Sequence, residues 1–254
     1  MAYTNSPLIS YTKLSPNNSG QRKYPITRIS IHCVVGQLSV KTLGSIFTSK
    51  KRQVSSNYGI GYDGKIAMYV PESNRSWCTS NSDNDNRAIT IEVASDTTSP
   101  YAVKDAAYKS LLDLVTDICK RNGKTKVVWI ADKTKALAYT PAANEMVLTV
   151  HRWFANKSCP GDYLYSRHAA IAAEVTKRLG GSDSKSSGSS TFTPYLVKVT
   201  AAVLNVRKGP GTGYAIQTQV RKNEVFTIVS EEKGWGKLKS GAGWIRLSYT
   251  AKKK

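Results

Sequence analysis

A histidine and a cysteine in the second half of the chain have a spacing that suits a metal site. His151 and Cys159 lie eight residues apart, and Lys157 precedes the cysteine by two residues. Zn²⁺ favours imidazole nitrogen and thiolate sulfur, and a catalytic zinc site uses three protein ligands and leaves the fourth position to water. His32 is a candidate third ligand. Two neutral histidines and one thiolate would give the site a net charge of about +1, enough to polarise a carbonyl and acidify a bound water.

Each of these residues also has a simpler interpretation. A lone histidine on a strand is usually structural, and a buried cysteine usually packs as a small hydrophobe. Cys159 and His151 would also suit a cysteine hydrolase, and the zinc content of the protein would decide between the two hypotheses. The third histidine, His168, is predicted to be an ordinary surface or packing residue on a helix.

The elements that must position these residues alternate between strands and helices over residues 1–180. A strand is predicted over 28–34, with its isoleucines on one face and His32 on the other. A strand over 87–94 likewise places Glu92 opposite its aliphatic residues. The remaining predicted elements are a hairpin around the Asp63-Gly64 turn, a helix over 101–122, a strand over 126–130 and a helix over 163–179. This order predicts an α/β fold, with a mixed central sheet and flanking helices.

A Gly/Ser-rich segment, residues 181–193, is typical of a flexible linker. It separates the first predicted domain, residues 1–180, from a second one, residues 194–254. Short apolar strands and glycine-rich turns at 209–213 and 239–243 predict that the second domain is all-β.

The charge of the chain narrows the classes of partner without choosing among them. The formal net charge is +20; residues 1–180 carry +11 (24 basic, 13 acidic) and residues 194–254 carry +9 (12 basic, 3 acidic). Such a field attracts polyanions such as nucleic acid, an acidic membrane or an anionic cell wall. The chain has no long apolar run, so no membrane span is expected. Its first residues lack the pattern of a secretory signal peptide, and its four cysteines lack the spacing of a disulfide framework.

Motifs at residues 29–32, 55–61, 63–66, 77, 89–92 and 151–161 follow one another across the first domain. Together they resemble the type 2 N-acetylmuramoyl-L-alanine amidases, relatives of the peptidoglycan recognition proteins, and this resemblance implies the fold of that family. It also implies zinc ligands at His32, His151 and Cys159, Glu92 as general base, and Lys157 as the residue that stabilises the developing oxyanion. Amide hydrolysis needs these roles, because a water must lose a proton and a tetrahedral oxyanion must form.

Two positions depart from the family pattern, and a third position, Cys33, directly follows a candidate ligand. Some relatives have a tyrosine near the zinc where this chain has Ser56. A tyrosine role is therefore not expected here, and Glu92 is favoured as the base. Many relatives have a histidine after the tryptophan that corresponds to Trp77, and this chain has Cys78 there, so a substrate contact is lost or Cys78 packs. Cys33 is expected on the core face, without a role.

The second domain contains distinctive motifs at residues 204–214, 234–235 and 243–245. They resemble the bacterial SH3-type modules of wall hydrolases, which implies a small SH3-like barrel that binds the cell wall. Tyr214 and Trp235, beside turns, are candidate wall-binding residues, although packing under the loops would suit them equally. Trp244 is expected in the core. The positive charge suits walls rich in teichoic acid.

The two resemblances imply an endolysin from a phage or prophage, which hydrolyses the amide bond between N-acetylmuramic acid and L-alanine with a zinc-bound water. It would be made in the cytoplasm of a bacterial host without a signal peptide and would act on the wall after release. The expected partners are peptidoglycan and associated wall polymers, and no nucleic acid is expected; the oligomeric state is open. The alternatives are a bacterial autolysin of the same activity, a basic nucleic-acid-binding protein, or a receptor without catalysis, which would have no need of the histidines and Cys159.

Overall fold

A computed structural model describes residues 3–180, 194–232 and 234–253. The chain divides into two compact units, residues 1–184 and 185–254. This division falls within the segment predicted as a linker, residues 181–193, which itself lies outside the described residues.

The first unit alternates strands and helices. Its strands are β1 (Tyr11–Thr12), β2 (Asn18–Gln21), β3 (Arg28–Val35), β4 (Tyr58–Ile60), β5 (Ile66–Met68), β6 (Asn74–Ser76), β7 (Ala88–Ser95), β8 (Lys126–Val128) and β9 (Glu145–Thr149). Its helices are α1 (Val40–Phe47), α2 (Ser82–Arg87), α3 (Asp105–Arg121), α4 (Lys133–Ala138), α5 (Gly161–Tyr165) and α6 (His168–Arg178), with short 3-10 turns at Lys50–Arg52 and His151–Trp153.

The central sheet of this unit has the strand order β1-β5-β4-β7-β3-β9-β8. β3 runs parallel to both β7 and β9, whereas β4 and β5 form the antiparallel hairpin. The predicted mixed sheet is therefore confirmed. Apolar residues of β3 and β7 form one core with the inner faces of α3 and α6, including Ile29, Ile31, Ile89, Ile91, Leu111, Leu114, Ile171 and Val175. Among the described residues no helix is long and apolar enough to cross a membrane.

Two predicted helices have different bounds in the structure. α3 begins at Asp105 rather than at Tyr101, because Tyr101 has φ of +61°, which a helix cannot accommodate. The predicted helix over 163–179 is divided into α5 and α6. At the break, the carbonyl oxygen of Leu164 accepts the backbone N–H of Arg167 at 2.9 Å and lies 2.8 Å from His168 Nδ1. In a continuous helix that oxygen would accept the backbone N–H of His168.

The second unit is all-β, as predicted. Its strands are β10 (Tyr195–Val199), β11 (Val203–Arg207), β12 (Ile216–Arg221), β13 (Val225–Glu232), β14 (Trp235–Leu238), β15 (Trp244–Arg246) and β16 (Thr250–Lys252). They form an antiparallel sheet in the order β12-β11-β15-β14-β13-β10-β16. The prediction that Trp244 packs in the core is wrong. Its neighbour Ile245 is fully buried there, and alternation along β15 leaves Trp244 half-buried.

Candidate active site

Three parallel strands bring the candidate residues to one edge of the sheet. β3 and β7 pair with His32 opposite Glu92, so the two side chains leave the same face of the sheet. β9 flanks β3 on its other side, with Thr149 opposite Ser30. After β9 the chain enters the 3-10 turn that begins at His151. The carboxyl ends of parallel strands meet at one edge, which is where open α/β sheets carry their sites.

Three potential metal ligands converge at this edge. The ligating atoms of His32, His151 and Cys159 all lie within 4.8 Å of one another. His32 Nδ1 is 3.3 Å from Cys159 Sγ, and the two imidazole centroids are 5.1 Å apart. The fold thus brings together the three residues that the sequence resemblance implies as ligands.

Burial favours the uncharged forms of these donors. His32 is fully buried, and desolvation, with a further contribution from His151, lowers its pKa well below the ordinary value. A hydrogen bond with the Cys33 thiol, together with burial, raises the pKa of Cys159. A neutral imidazole is the form that binds a metal, and a divalent cation would reverse the shift at Cys159 by stabilising the thiolate.

Glu92 faces the same site from the neighbouring strand. Its Oε1 is 3.9 Å from His32 Nδ1 and 3.8 Å from Cys78 Sγ. Desolvation raises the pKa of Glu92 to about 8; the Cys33 thiol adds to this rise, and the hydrogen bond from Cys78 opposes it. Among the described residues Oε2 has no hydrogen-bond partner. A buried carboxyl with a raised pKa, beside candidate metal ligands, has the properties of a general base.

Lys157 lies on the exposed turn between the second histidine and the cysteine. Its backbone N–H donates to the carbonyl oxygen of Ala155 at 2.8 Å. The pKa of His151 is lowered first by burial and then by the positive charge of Lys157. The lysine charge therefore acts on the site from its solvent side.

The sequence did not reveal the residues that hold the loop after Trp77 against the site. Asp85 accepts hydrogen bonds from the backbone N–H of Cys78 at 3.1 Å and from the Thr79 hydroxyl at 2.6 Å. Ser80 Oγ lies 3.3 Å from His151 Nε2, a contact that orients the imidazole. Ser80 has φ of +60°, a region that non-glycine residues seldom enter. In the sequence, the departure from the family pattern at Cys78 was the one feature that drew attention to this loop.

Ser56, the other departure from the family pattern, and Cys33 both have structural explanations. Ser56 is fully buried, and its hydroxyl donates to the carbonyl oxygen of Thr90 at 2.9 Å, so it ties β4 to β7. Cys33 packs in the core, as alternation along β3 predicts. The pKa of Cys33 is lowered, first of all by interaction with the Cys159 thiol, which alternation alone did not suggest.

A cluster of aromatic rings packs behind the 3-10 turn. Trp153 stacks on Trp129 with centroids 5.2 Å apart and planes at 7°. Trp129 in turn contacts the ring of His168, at 4.5 Å between centroids. His168 is fully buried, so the expectation of a packing residue is confirmed and that of a surface residue is wrong. The cluster holds the turn that carries His151.

In the second unit, the two candidate wall-binding residues differ in exposure. Tyr214 is 51% exposed, and its ring covers Gly209, where an added Cβ would meet it at 2.5 Å. Trp235 is only 5% exposed, because β14 lies inside the sheet and the Arg246 guanidinium lies 5.8 Å from the indole centroid. Trp235 still lines a cavity together with Asn205, Arg207, Arg246 and Tyr249.

A mixed sheet whose edge carries two histidines, a cysteine and a buried carboxylate defines an α/β protein with a candidate metal centre and an adjacent base. The chain belongs to the N-acetylmuramoyl-L-alanine amidase family, whose model matches residues 22–162, and a bacterial SH3 domain matches residues 202–251. This protein is a peptidoglycan amidase with a C-terminal SH3 domain.

Several solved structures are similar to this chain. The crystal structure of an AmpD derivative has 20% identity and a TM-score of 0.48, covering 68% of this chain and 99% of its own. The endolysin N-acetylmuramoyl-L-alanine amidase LysCS from Clostridium intestinale has 17% identity and a TM-score of 0.48, and the match covers 66% of this chain and 97% of the LysCS chain. The Ph2119 endolysin from the Thermus scotoductus bacteriophage Ph2119 has 17% identity and a TM-score of 0.43, and the match covers 61% of this chain and 88% of the endolysin chain. A search of curated proteins finds no match.

Proposed function

We propose that the first unit cleaves the amide bond between N-acetylmuramic acid and L-alanine with the help of Zn²⁺ held by His32, His151 and Cys159. The convergence of these three ligating atoms within 4.8 Å carries the proposal. Glu92 takes the proton of the attacking water, and Lys157 stabilises the oxyanion.

The donor set fits zinc in chemistry and in spacing. A tetrahedral zinc with Zn–N of about 2.0 Å and Zn–S of about 2.3 Å separates its ligand atoms by roughly 3.5 Å. His32 Nδ1 and Cys159 Sγ are 3.3 Å apart. When bound here, zinc would act as a Lewis acid on the scissile carbonyl and would acidify the nucleophilic water.

The side chains around the donors supply the proton transfer and the charge balance. The Glu92 side chain is 16% exposed, so its carboxyl can accept the proton of a water in the cleft. The same carboxyl can then return the proton to the leaving L-alanine nitrogen. The ammonium of Lys157, on the solvent side of the site, balances the negative charge that develops on the carbonyl oxygen.

Digestion of purified peptidoglycan tests the proposed bond. Mass analysis should find stem peptides with a free L-alanine amine and glycan strands with free lactyl carboxylates. Glycan fragments with new reducing ends would contradict the proposal. Metal analysis of the same preparation should find about one Zn²⁺ per chain, and chelation should abolish the release of peptides.

The second unit is proposed to bind the cell wall and to raise the concentration of the enzyme at its substrate. Its residues 194–254 carry a net charge of +9, which favours contact with anionic wall polymers. Tyr214 is the exposed aromatic candidate for this contact, whereas Trp235 offers a ligand only the small part of its ring that reaches the cavity. Alanine at Tyr214 should reduce pelleting with purified walls if its ring contacts them.

We propose the endolysin role for the whole protein, with a bacterial autolysin as the alternative. Both roles use the same chemistry, so expression in a bacterial cytoplasm separates them. An endolysin should cause lysis only when a membrane-permeabilising protein is expressed with it. Lysis without that second protein would favour the autolysin.

A further inference from the structure

Cys78 stands in the active site without a part in the proposed reaction. It follows Trp77 on the loop after β6, and its backbone N–H donates to Asp85 Oδ2 at 3.1 Å. Asp85 also accepts hydrogen bonds from the backbone N–H and the hydroxyl of Thr79. The loop is therefore fixed on both sides of the Cys78 carbonyl, and the thiol is held over Glu92.

The thiol of Cys78 belongs to a second group of possible metal ligands. The ligating atoms of His32, Cys78 and Glu92 all lie within 4.8 Å of one another. Cys78 Sγ is 3.8 Å from Glu92 Oε1, which is itself 3.9 Å from His32 Nδ1. These separations are close to those between the ligands of one tetrahedral ion.

The carboxyl of this group is only partly satisfied by hydrogen bonds from the described residues. Glu92 Oε2 is buried and receives no hydrogen bond from the described residues. His32 is fully buried. A thiol and a carboxyl thus face each other with one carboxylate oxygen unsatisfied. A divalent cation between Cys78 Sγ, Glu92 Oε1 and His32 Nδ1 would be neutralised by one thiolate and one carboxylate.

We propose that His32, Cys78 and Glu92 form a second, alternative site for a borderline or soft divalent ion such as Zn²⁺, Co²⁺ or Cd²⁺. The proposal rests on the proposed function, since His32 belongs to both donor sets. His32 Nδ1 faces both Cys159 and Glu92, so one ion occupies one set or the other. Binding at the second set releases the thiol proton of Cys78, and the proton of Glu92 where its carboxyl is protonated, to solvent.

An ion at the second set changes what the site can do. The set has two anionic ligands, whereas the first has one, so the bound ion keeps less net charge to polarise a carbonyl. It also occupies the carboxylate that must take a proton from water. The second set is therefore a resting position for the ion, from which the site is not ready to react.

Cobalt spectroscopy of the full chain tests the second site without measuring activity. Co²⁺ bound to a thiolate gives a sulfur-to-cobalt charge-transfer band in the near ultraviolet. Four proteins are compared, each checked for folding by circular dichroism: the wild type, Cys159→Ser, Cys78→Ser and the double variant. Serine is a nearly isosteric but poor ligand for these ions.

We expect Cys159→Ser to keep a charge-transfer band, because Cys78 still supplies a thiolate, and the double variant to lose it. Cys78→Ser should keep a band but should show visible ligand-field absorption different from that of the wild type, because only the first set remains. This second comparison holds even if Cys159→Ser does not fold.

The outcomes distinguish this inference from the proposed function. A wild type that binds no Co²⁺ would overturn both. A wild type with a band that disappears in folded Cys159→Ser would overturn the second set alone. Identical visible spectra for the wild type and Cys78→Ser would also overturn it, because both would then hold the ion through the first set only.

Discussion

The buried imidazole of His168 makes the stability of the first unit depend on pH. Its Nδ1 lies against the Leu164 carbonyl oxygen at 2.8 Å, and among the described residues its Nε2 has no partner. Burial lowers its pKa to about 4, from an ordinary value of 6.5. Between these two pH values the unfolded chain binds more protons at His168 than the folded chain does. The contribution of neutral His168 to the free energy of unfolding is therefore fully present above about pH 6.5 and is lost as the pH falls towards 4.

The size of the effect follows from this shift. At about pH 5 an unfolded His168 is mostly protonated and the folded one mostly neutral, which reduces the free energy of unfolding by about 2 kcal/mol relative to about pH 7.5. The full loss below pH 4 is about 3 kcal/mol. Replacement by leucine removes this term and also the Nδ1 hydrogen bond to the Leu164 oxygen, at a fixed cost of about 0.5–1.5 kcal/mol. That oxygen still accepts the backbone N–H of Arg167 at 2.9 Å.

Urea unfolding of the full chain measures the difference. The fluorescence of the stacked pair Trp129 and Trp153 reports on this region, and a chelator in every sample keeps metal binding from contributing. The stability gap between the wild type and His168→Leu should shrink by about 2 kcal/mol from about pH 7.5 to about pH 5. If the gap is the same at both values, His168 titrates alike in the folded and unfolded chains and the reasoning is refuted.

Three further predictions concern the reaction and the wall. Glu92→Gln keeps the shape of the side chain but removes the base, so peptide release should fall on the order of 10²–10⁴-fold with zinc retained; an unchanged rate would place the base elsewhere. Cys159→Ser should weaken zinc binding by more than the roughly 10–100-fold that loss of a supporting hydrogen bond costs, and competition with a chromogenic chelator measures this. The segment 194–254 should pellet with purified walls and bind less at high salt if its positive charge contributes, and a segment that stays in solution with walls from several hosts would contradict the wall-binding role.

Local patterns were sufficient to predict the strands that carry the site. The alternation of Ile29 and Ile31 with His32 marks two faces of β3, and the same rule places Glu92 on the matching face of β7. The alternation of apolar and polar residues along a strand can be recognised from neighbouring residues alone, so it predicts the two faces without knowledge of the tertiary structure. The convergence of the three candidate ligands came from the resemblance to a family, because spacing alone does not show which strands pair.

Features that depend on contacts between distant residues could not be predicted. At the break between α5 and α6, the Leu164 carbonyl oxygen pairs with the His168 ring and with the Arg167 backbone N–H, which no residue pattern marks. Trp244 and Ile245 are both apolar, so the sequence does not say which of them takes the core face of β15. The contact of Ser80 with His151 depends on a positive φ at Ser80 that no residue pattern marks.

The long separation of the proposed ligands along the chain has a consequence for synthesis. His32 and Cys159 are 127 residues apart in sequence, yet their ligating atoms are in contact. A chain still on the ribosome therefore carries the strand with His32 long before the loop with Cys159 has emerged. The proposed metal site can be assembled only when nearly the whole first unit has been translated, so we expect fragments that end before Cys159 to be inert towards peptidoglycan.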